Sequence, residues 1–276
     1  MKTTKLKIIA VLVIMAIGYS FTSLGKITIK GSDTMVILSQ QWAEIYMKKN
    51  PGTVIQVTGG GSGVGLAALI NGSTDIANSS RPIKPAELEK IKAKFGKNAI
   101  QIPCAKDGLS VFLNKGNKVS ELTIAQIGGI FSGKITNWKQ VGGDDAKIQL
   151  YGRESSSGTF EFFKEHVVQT DFAATCQTLP GTAAIINAVK KDKYSIGYGG
   201  AAYAEGVKDC KVKKDANSKG YLPTEVNIKN KKYPIARYLY MYLTSKPTGE
   251  TKKFIDWILS SEGQKIIAGV GYFPVK

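Results

Sequence analysis

Arg153-Glu154-Ser155-Ser156-Ser157-Gly158-Thr159 sets a guanidinium just ahead of a run of hydroxyls and a glycine. Phe160, Phe162, Phe163 and Val167 then recur at helical spacing, so the loop runs into a helix N-terminus. Such an end presents unpaired N–H groups and positive partial charge. With Arg153 for bidentate contact and Ser157 and Thr159 for hydroxyl contacts, the stretch can seat a tetrahedral oxyanion. A simple N-cap explains the serines of this segment equally well.

Three more polar turns follow strand-like segments. Residues 27–30 alternate as a strand and give way to Ser32-Asp33-Thr34, after which Met35, Leu38, Trp42, Ile45 and Tyr46 mark the inner face of a helix. A strand at 54–57 leads to Gly59-Gly60-Gly61-Ser62-Gly63-Val64-Gly65, where the glycines let the backbone approach a ligand and Ser62 adds a hydroxyl. A short strand at 75–78 ends in Ser79-Ser80-Arg81-Pro82, and the Arg153 loop follows a strand at 148–151. Ligands of open α/β sheets bind outside the carboxyl ends of the strands, so the four loops are expected to converge.

Other chemistries lack their parts. The glycine turn continues into Leu66 and Ala67 rather than the Lys-Ser/Thr of an ATPase phosphate loop, and it meets only the loosest dinucleotide fingerprint. The only histidine, His166, sits in a helical stretch with no nucleophile assigned to it, and no His, Asp or Glu cluster has metal-ligand spacing. Neither an enzyme nor a cofactor is expected.

Lys2, Lys5 and Lys7 precede an apolar run over 8–17, and small residues follow before Lys26, the layout of a secretory signal over 1–25. The run is too short to span a bilayer comfortably, and no cysteine follows it at which a lipid could be attached. The formal charge of +17 falls to +14 once those three lysines are set aside. Scattered lysines without a nucleic-acid motif argue against a nucleic-acid partner; a field that attracts small anions and lysines kept for solubility both account for the excess. Of three cysteines, Cys176 and Cys210 lie in polar loop-like sequence and Cys104 in an apolar strand, so a Cys176–Cys210 bridge is expected in an exported chain.

Two long apolar runs, 103–113 and 233–243, are each able to leave one lobe and enter another. They predict an α/β chain of two lobes, 26–105 plus 236–276 and 106–235, joined by a two-strand hinge near 105–109 and 235–238. Helices at 85–94, 182–189, 250–259 and 262–268 and a strand at 194–198 fill out the lobes.

Gly31-Ser-Asp-Thr-Met, Gly59-Gly-Gly-Ser-Gly, Asp75-Ile-Ala-Asn-Ser-Ser-Arg-Pro, Phe131-Ser-Gly-Lys-Ile-Thr-Asn-Trp, Arg153-Glu-Ser-Ser-Ser-Gly-Thr and Phe254-Ile-Asp-Trp occur in order along the chain. In this the sequence resembles the periplasmic phosphate-binding proteins of ABC transporters, the PstS family. The resemblance implies the type II periplasmic-binding-protein fold, each lobe a mixed sheet flanked by helices, with phosphate held dehydrated between the lobes. It implies Thr34, Ser62, Arg153, Ser157, Gly158 and Thr159 as phosphate ligands, with Ser32 beside Thr34. It also implies a monomeric periplasmic protein that delivers its ligand to an inner-membrane permease and ATPase.

One departure bears on the chemistry. Well-known members carry an aspartate that accepts the proton of hydrogen phosphate, and its place falls at Ser80, followed by Arg81. A site of donors alone suits sulfate as well as phosphate, and arsenate or molybdate remain open. Asp33, Glu154 and Ser80 are the candidates to accept that proton. Arg81 is expected either as a second positive contact or paired with a carboxylate. A sensing or surface-interaction role on the same fold is the alternative function.

Overall fold

The computed structural model describes residues 25–275; the leader assigned to 1–25 lies outside them except for Gly25, which opens the first strand. β1 (Gly25–Gly31) passes through a 3-10 turn at Asp33–Met35 into α1 (Val36–Lys49), and β2 (Thr53–Thr58), α2 (Ser62–Asn71), β3 (Ile76–Ser79) and α3 (Pro85–Phe95) repeat the unit. β4 (Ile100–Leu113) crosses to a second set: β5 (Glu121–Thr123), α4 (Ile124–Phe131), β6 (Gln149–Arg153), α5 (Gly158–Phe163), β7 (Gln177–Leu179), α6 (Gly181–Lys191) and β8 (Ser195–Gly200). The chain continues through β9 (Lys208–Asp209), β10 (Lys211–Lys213) and α7 (Glu225–Lys229). β11 (Ala236–Leu243), α8 (Gly249–Ile258) and α9 (Ser261–Val270) follow. Among the described residues no helix is long and apolar enough to cross a membrane.

One path of strands, β2-β1-β3-β11-β4-β8-β6-β7, runs through the molecule, with β9 also on β4. β1, β2 and β3 are parallel, as successive strand-helix units require. β11 enters antiparallel between β3 and β4. β4 changes partner along its length: Ile100 to Gly108 pair with β11, and Leu109 to Leu113 with β8. The ladder with β11 steps between Leu239 and Tyr240, so that Cys104 is the extra residue beside Pro103. A proline without an N–H is tolerated at such a bulge.

The core divides in the same way. Ile27, Ile29, Leu38 and Trp42 pack with Cys104, Ala105, Leu239, Phe254 and Ile258 in one cluster. Leu109, Val111, Phe131, Trp138, Phe163, Tyr198 and Ile235 pack in another. In the second, the Phe163 and Tyr198 rings stack at 3.9 Å and Phe131 meets both edge-on. These rings fix β8 against the helix that follows the Arg153 loop.

The expected Cys176–Cys210 bridge does not form: all three cysteines are free thiols. Cys210 directly follows β9 and its N–H donates to Val111 of β4, whereas Cys176 precedes β7 and packs on Gly152 of β6. β4, β8 and β6 lie between β9 and β7. At about 4.8 Å per strand this exceeds the ~7 Å over which two Cα atoms can be bridged. Burial pushes the thiols up, to about 12 for Cys104 and Cys210 and to about 11 for Cys176, which leaves little thiolate to oxidise at neutral pH. Excess dithiothreitol is therefore expected to leave the thermal unfolding midpoint unchanged. A reductant-dependent loss of about 2–5 kcal/mol would mean a bridge exists after all.

Candidate functional site

The ends of β1, β3 and β6 and the turn before α2 bring their hydroxyls to one place. Thr34 Oγ1 and Thr159 Oγ1 are 2.8 Å apart, Ser62 Oγ and Ser80 Oγ 3.3 Å, and Ser80 Oγ and Thr159 Oγ1 3.5 Å. The Ser80 N–H donates to Ser62 Oγ at 3.0 Å. All four side chains are at most 1% exposed. A cluster of hydroxyls at that depth is rare unless the groups are mutually satisfied or built to hold a polar ligand.

Glycine makes the closeness possible at two points. A Cβ on Gly158 would stand 2.3 Å from Ser62 Oγ and 2.8 Å from Ser80 Oγ. Gly61, at φ +96°, lies against the Ser156 carbonyl, which accepts the Gly63 N–H of α2 at 2.9 Å. The glycine turn leading into α2 is thus seated on the Arg153 loop leading into α5.

Ser157 caps α5, its Oγ accepting from the Thr159 and Phe160 N–H groups at 3.2 and 3.3 Å. Ser32 is buried beside Thr34, and its N–H donates to the Asn78 carbonyl. Arg153 is 2% exposed and closely held. Nε and Nη2 donate to Glu154 at 3.1 and 2.7 Å, Nη2 donates to Asp33 Oδ2 at 2.6 Å, and Nη1 to Thr182 Oγ1 at 3.1 Å. Four of its five N–H groups are committed, leaving one on Nη1. Burial alone would raise the Glu154 pKa, but the hydrogen bonds and charge of Arg153 outweigh it and hold the carboxyl below its ordinary value. Asp33 also accepts the Gly60 N–H at 2.9 Å through Oδ1.

Arg81 corrects one of the two expectations for it. Its guanidinium makes a fork with Glu87 at 2.8 and 2.7 Å, and its Nε lies 2.6 Å from Glu161 Oε2 on α5. Lys84 reaches Glu161 as well, at 2.9 Å. Arg81 therefore pairs with Glu87 of the neighbouring helix α3 and Glu161 of α5 instead of turning to the hydroxyls. Glu87 is desolvated, which would raise its pKa, yet the hydrogen bonds from Arg81 and the Lys84 N–H together outweigh burial and lower it.

Two further residues escape sequence reasoning. Arg237 Nη2 donates to Thr159 Oγ1 at 2.9 Å, and Nε and Nη2 donate to Asp107 Oδ2 at 3.0 and 2.8 Å. Asp107 and Arg237 sit opposite each other on β4 and β11. The signal was a charge of each sign inside two otherwise apolar crossing strands, where unpaired charge is costly. His166 stacks on Phe162 and its Nδ1 lies 3.0 Å from the Phe162 carbonyl, away from any nucleophile of the cluster. Among the described residues no group of three or more His, Cys, Asp or Glu is placed to hold a metal ion.

The sequence matches the PBP superfamily domain over residues 20–262. It is 32% identical to the phosphate-binding protein PstS of Pseudomonas aeruginosa over 91% of this chain and 83% of that one. The chain belongs to the PstS family. It is also 33% identical to PstS of Bacillus subtilis over 91% of this chain and 81% of that one. A phosphate-bound crystal structure from Clostridium perfringens, described as a putative phosphate ABC transporter substrate-binding protein, superposes with a TM-score of 0.83 at 32% identity. The match covers 91% of this chain and 100% of that one. The two-lobed type II fold is that of the PstS family.

Gly158→Ala is expected to force the Thr159 loop and Ser62 apart, weakening anion binding by about 1–3 kcal/mol in a calorimetric titration. An alanine variant that binds as tightly as the wild type would mean this space is not used. The folded pKa values of Glu87 and Glu154 are lowered, so their stabilisation is complete above the unfolded value of about 4.3 and is lost as pH falls through the folded values. Urea unfolding followed from about pH 7 to about pH 2.5 is expected to show stability falling across the acid end. A flat profile would contradict these ion pairs.

Proposed function

We propose that this chain captures inorganic phosphate between its lobes and hands it to an ABC importer. The observation that carries the reading is the buried cluster of Thr34, Ser62, Ser80 and Thr159, with the Arg237 guanidinium on Thr159 and that of Arg153 on Asp33, the neighbour of Thr34 in sequence. Donors of this number, shut away from water, match the oxygens of a dehydrated tetrahedral anion. The PstS relatives are named for phosphate, and the Clostridium perfringens structure holds it. The chain is a binding protein of that family, not an enzyme.

The lobes we assign are 26–105 plus 236–276 and 106–235, a division supported by the two apolar clusters. Because the hydroxyls are buried, a ligand reaches them only when the lobes separate. The hinge we assign is the β4 and β11 segment at 105–109 and 235–238. Closure is favoured by Asp33–Arg153 and by Glu161 with Arg81 and Lys84, all reaching from one lobe to the other. A ligand drives closure only by binding the closed form more tightly than the open one. The basic leader followed by an apolar run supports export, and a membrane permease with its ATPase is the partner such a cargo protein implies.

Of the candidates to accept the phosphate proton, the two carboxylates are committed to Arg153. We assign the role to Ser80, whose hydroxyl can turn to accept because its neighbours Ser62 and Thr159 are at 3.3 and 3.5 Å. Sulfate has no proton to offer, so the acceptor contributes to discrimination.

Calorimetry with phosphate, sulfate, arsenate and molybdate tests the reading directly. Phosphate is expected to bind most tightly, and Ser80→Ala to lower the phosphate-to-sulfate affinity ratio by about tenfold, the scale of one hydrogen bond. Sulfate bound more tightly than phosphate by the wild type would replace phosphate as the cargo. An unchanged ratio in the alanine variant would remove Ser80 from the role.

A further inference from the structure

Arg237 has donors to spare in a place where spare donors are costly. A guanidinium carries five N–H groups. Nε is used on Asp107, and Nη2 on Asp107 and Thr159. Nη1, with two N–H groups, is buried and has no hydrogen-bond partner among the described residues. The residue is 7% exposed, and its side chain leaves β11 on the face opposite exposed Ala236 and Tyr238. That face is the one carrying Thr159, and the Phe162 ring centre lies 5.3 Å from Cζ of the guanidinium. Buried N–H groups of a charged side chain are seldom left unpaired, because nothing then offsets their desolvation.

Asp107 holds this group in place. It is wholly buried, its Oδ2 takes both donors from Arg237, and its Oδ1 accepts the Ala201 N–H at 3.2 Å. The backbone at Gly200 brings the two parts together. A Cβ there would lie 3.0 Å from Thr34 Cγ2 and 3.3 Å from Asp107 Oδ1, so the carboxylate and the Thr34 side chain flank one small space. The pair is therefore continuous with the hydroxyl cluster at Thr159 and adjacent to it at Thr34.

We propose that Arg237 is a ligand-binding residue of the anion site, donating Nη1 to an oxygen of a tetrahedral dianion, and that Asp107 is its positioning residue. The inference rests on the phosphate reading of the same site and adds a contact from the hinge strands to those from the two lobes. It gives the site a second guanidinium in the role that Arg81 does not fill. Asp107 neutralises the charge of Arg237 without occupying Nη1, so the pair contributes directional donors with little net field.

The competing account is that Asp107 and Arg237 only tie β4 to β11. Inorganic phosphate titrated calorimetrically at about pH 8, where the dianion dominates, into the wild type, Arg237→Gln and Asp107→Asn separates the two. The wild-type trace is read first: no phosphate binding there refutes the cargo, whereas failure of this inference appears only in the variants. Arg237→Gln is expected to unfold cooperatively and to bind phosphate about 10- to 100-fold more weakly, the cost of one charge-assisted contact. Asp107→Asn keeps the guanidinium, so its loss of affinity is expected to be at least several-fold smaller. Both variants break the tie between the strands, so their melting temperatures without phosphate are expected to fall alike while their affinities separate. Phosphate affinity of Arg237→Gln within about threefold of wild type would overturn the proposal, as would equal losses in the two variants. If Arg237→Gln does not fold, Arg237→Lys is read in its place. It keeps the charge without the paired Nη1 donors, and the same threefold limit applies.

Discussion

Thr159 Oγ1 is the atom on which three distant parts of the chain converge. It belongs to α5, touches Thr34 of the turn after β1 at 2.8 Å, and accepts from Arg237 of β11 at 2.9 Å. A buried hydroxyl deprived of partners costs free energy of the order of 1–3 kcal/mol. Several of them meeting at one point must therefore be satisfied together or not at all. This couples lobe position to hydrogen bonding more tightly than an apolar interface could, because apolar contact tolerates sliding and hydrogen-bond geometry does not.

Charge in the cleft is balanced locally rather than accumulated. Arg153 faces two carboxylates, Arg81 two, and Arg237 one. The excess of 38 basic over 21 acidic residues in the sequence therefore resides outside the cleft. The two populations do different work. Screened surface charge can draw anions toward the molecule, while neutralised guanidiniums and hydroxyls select by the direction and number of their donors.

The strand-helix units and the polar loops at their ends were legible from periodicity and turn composition, since both are local. Thr34, Ser62, Ser80 and Thr159 could be picked out because each lies in a turn immediately before a helix or after a strand. What could not be read were partners. Arg81 stands next to Ser80 in sequence, yet Glu87 and Glu161 decide where its side chain goes, and Glu161 is distant in sequence and brought near by the fold. Asp107 and Arg237 pair through the register of two antiparallel strands 130 residues apart, and register is not visible in either strand alone. The cysteines failed for a related reason: export permits a bridge, but strand order places three strands between the two thiols.

Asp107 and Arg237 lie within the segment of β4 and β11 proposed as the hinge. β4 pairs with β11 up to Gly108 and with β8 from Leu109, so the change of strand partner falls just beyond Asp107. A bulge at Cys104, beside Pro103, interrupts the regular ladder just before this segment. Bending confined between that bulge and the handover to β8 would leave both apolar clusters intact, since Ala105 packs in one and Leu109 in the other. If such bending separates Thr34 from Thr159, their contact forms only in the closed form, which is the differential affinity a ligand needs in order to drive the motion.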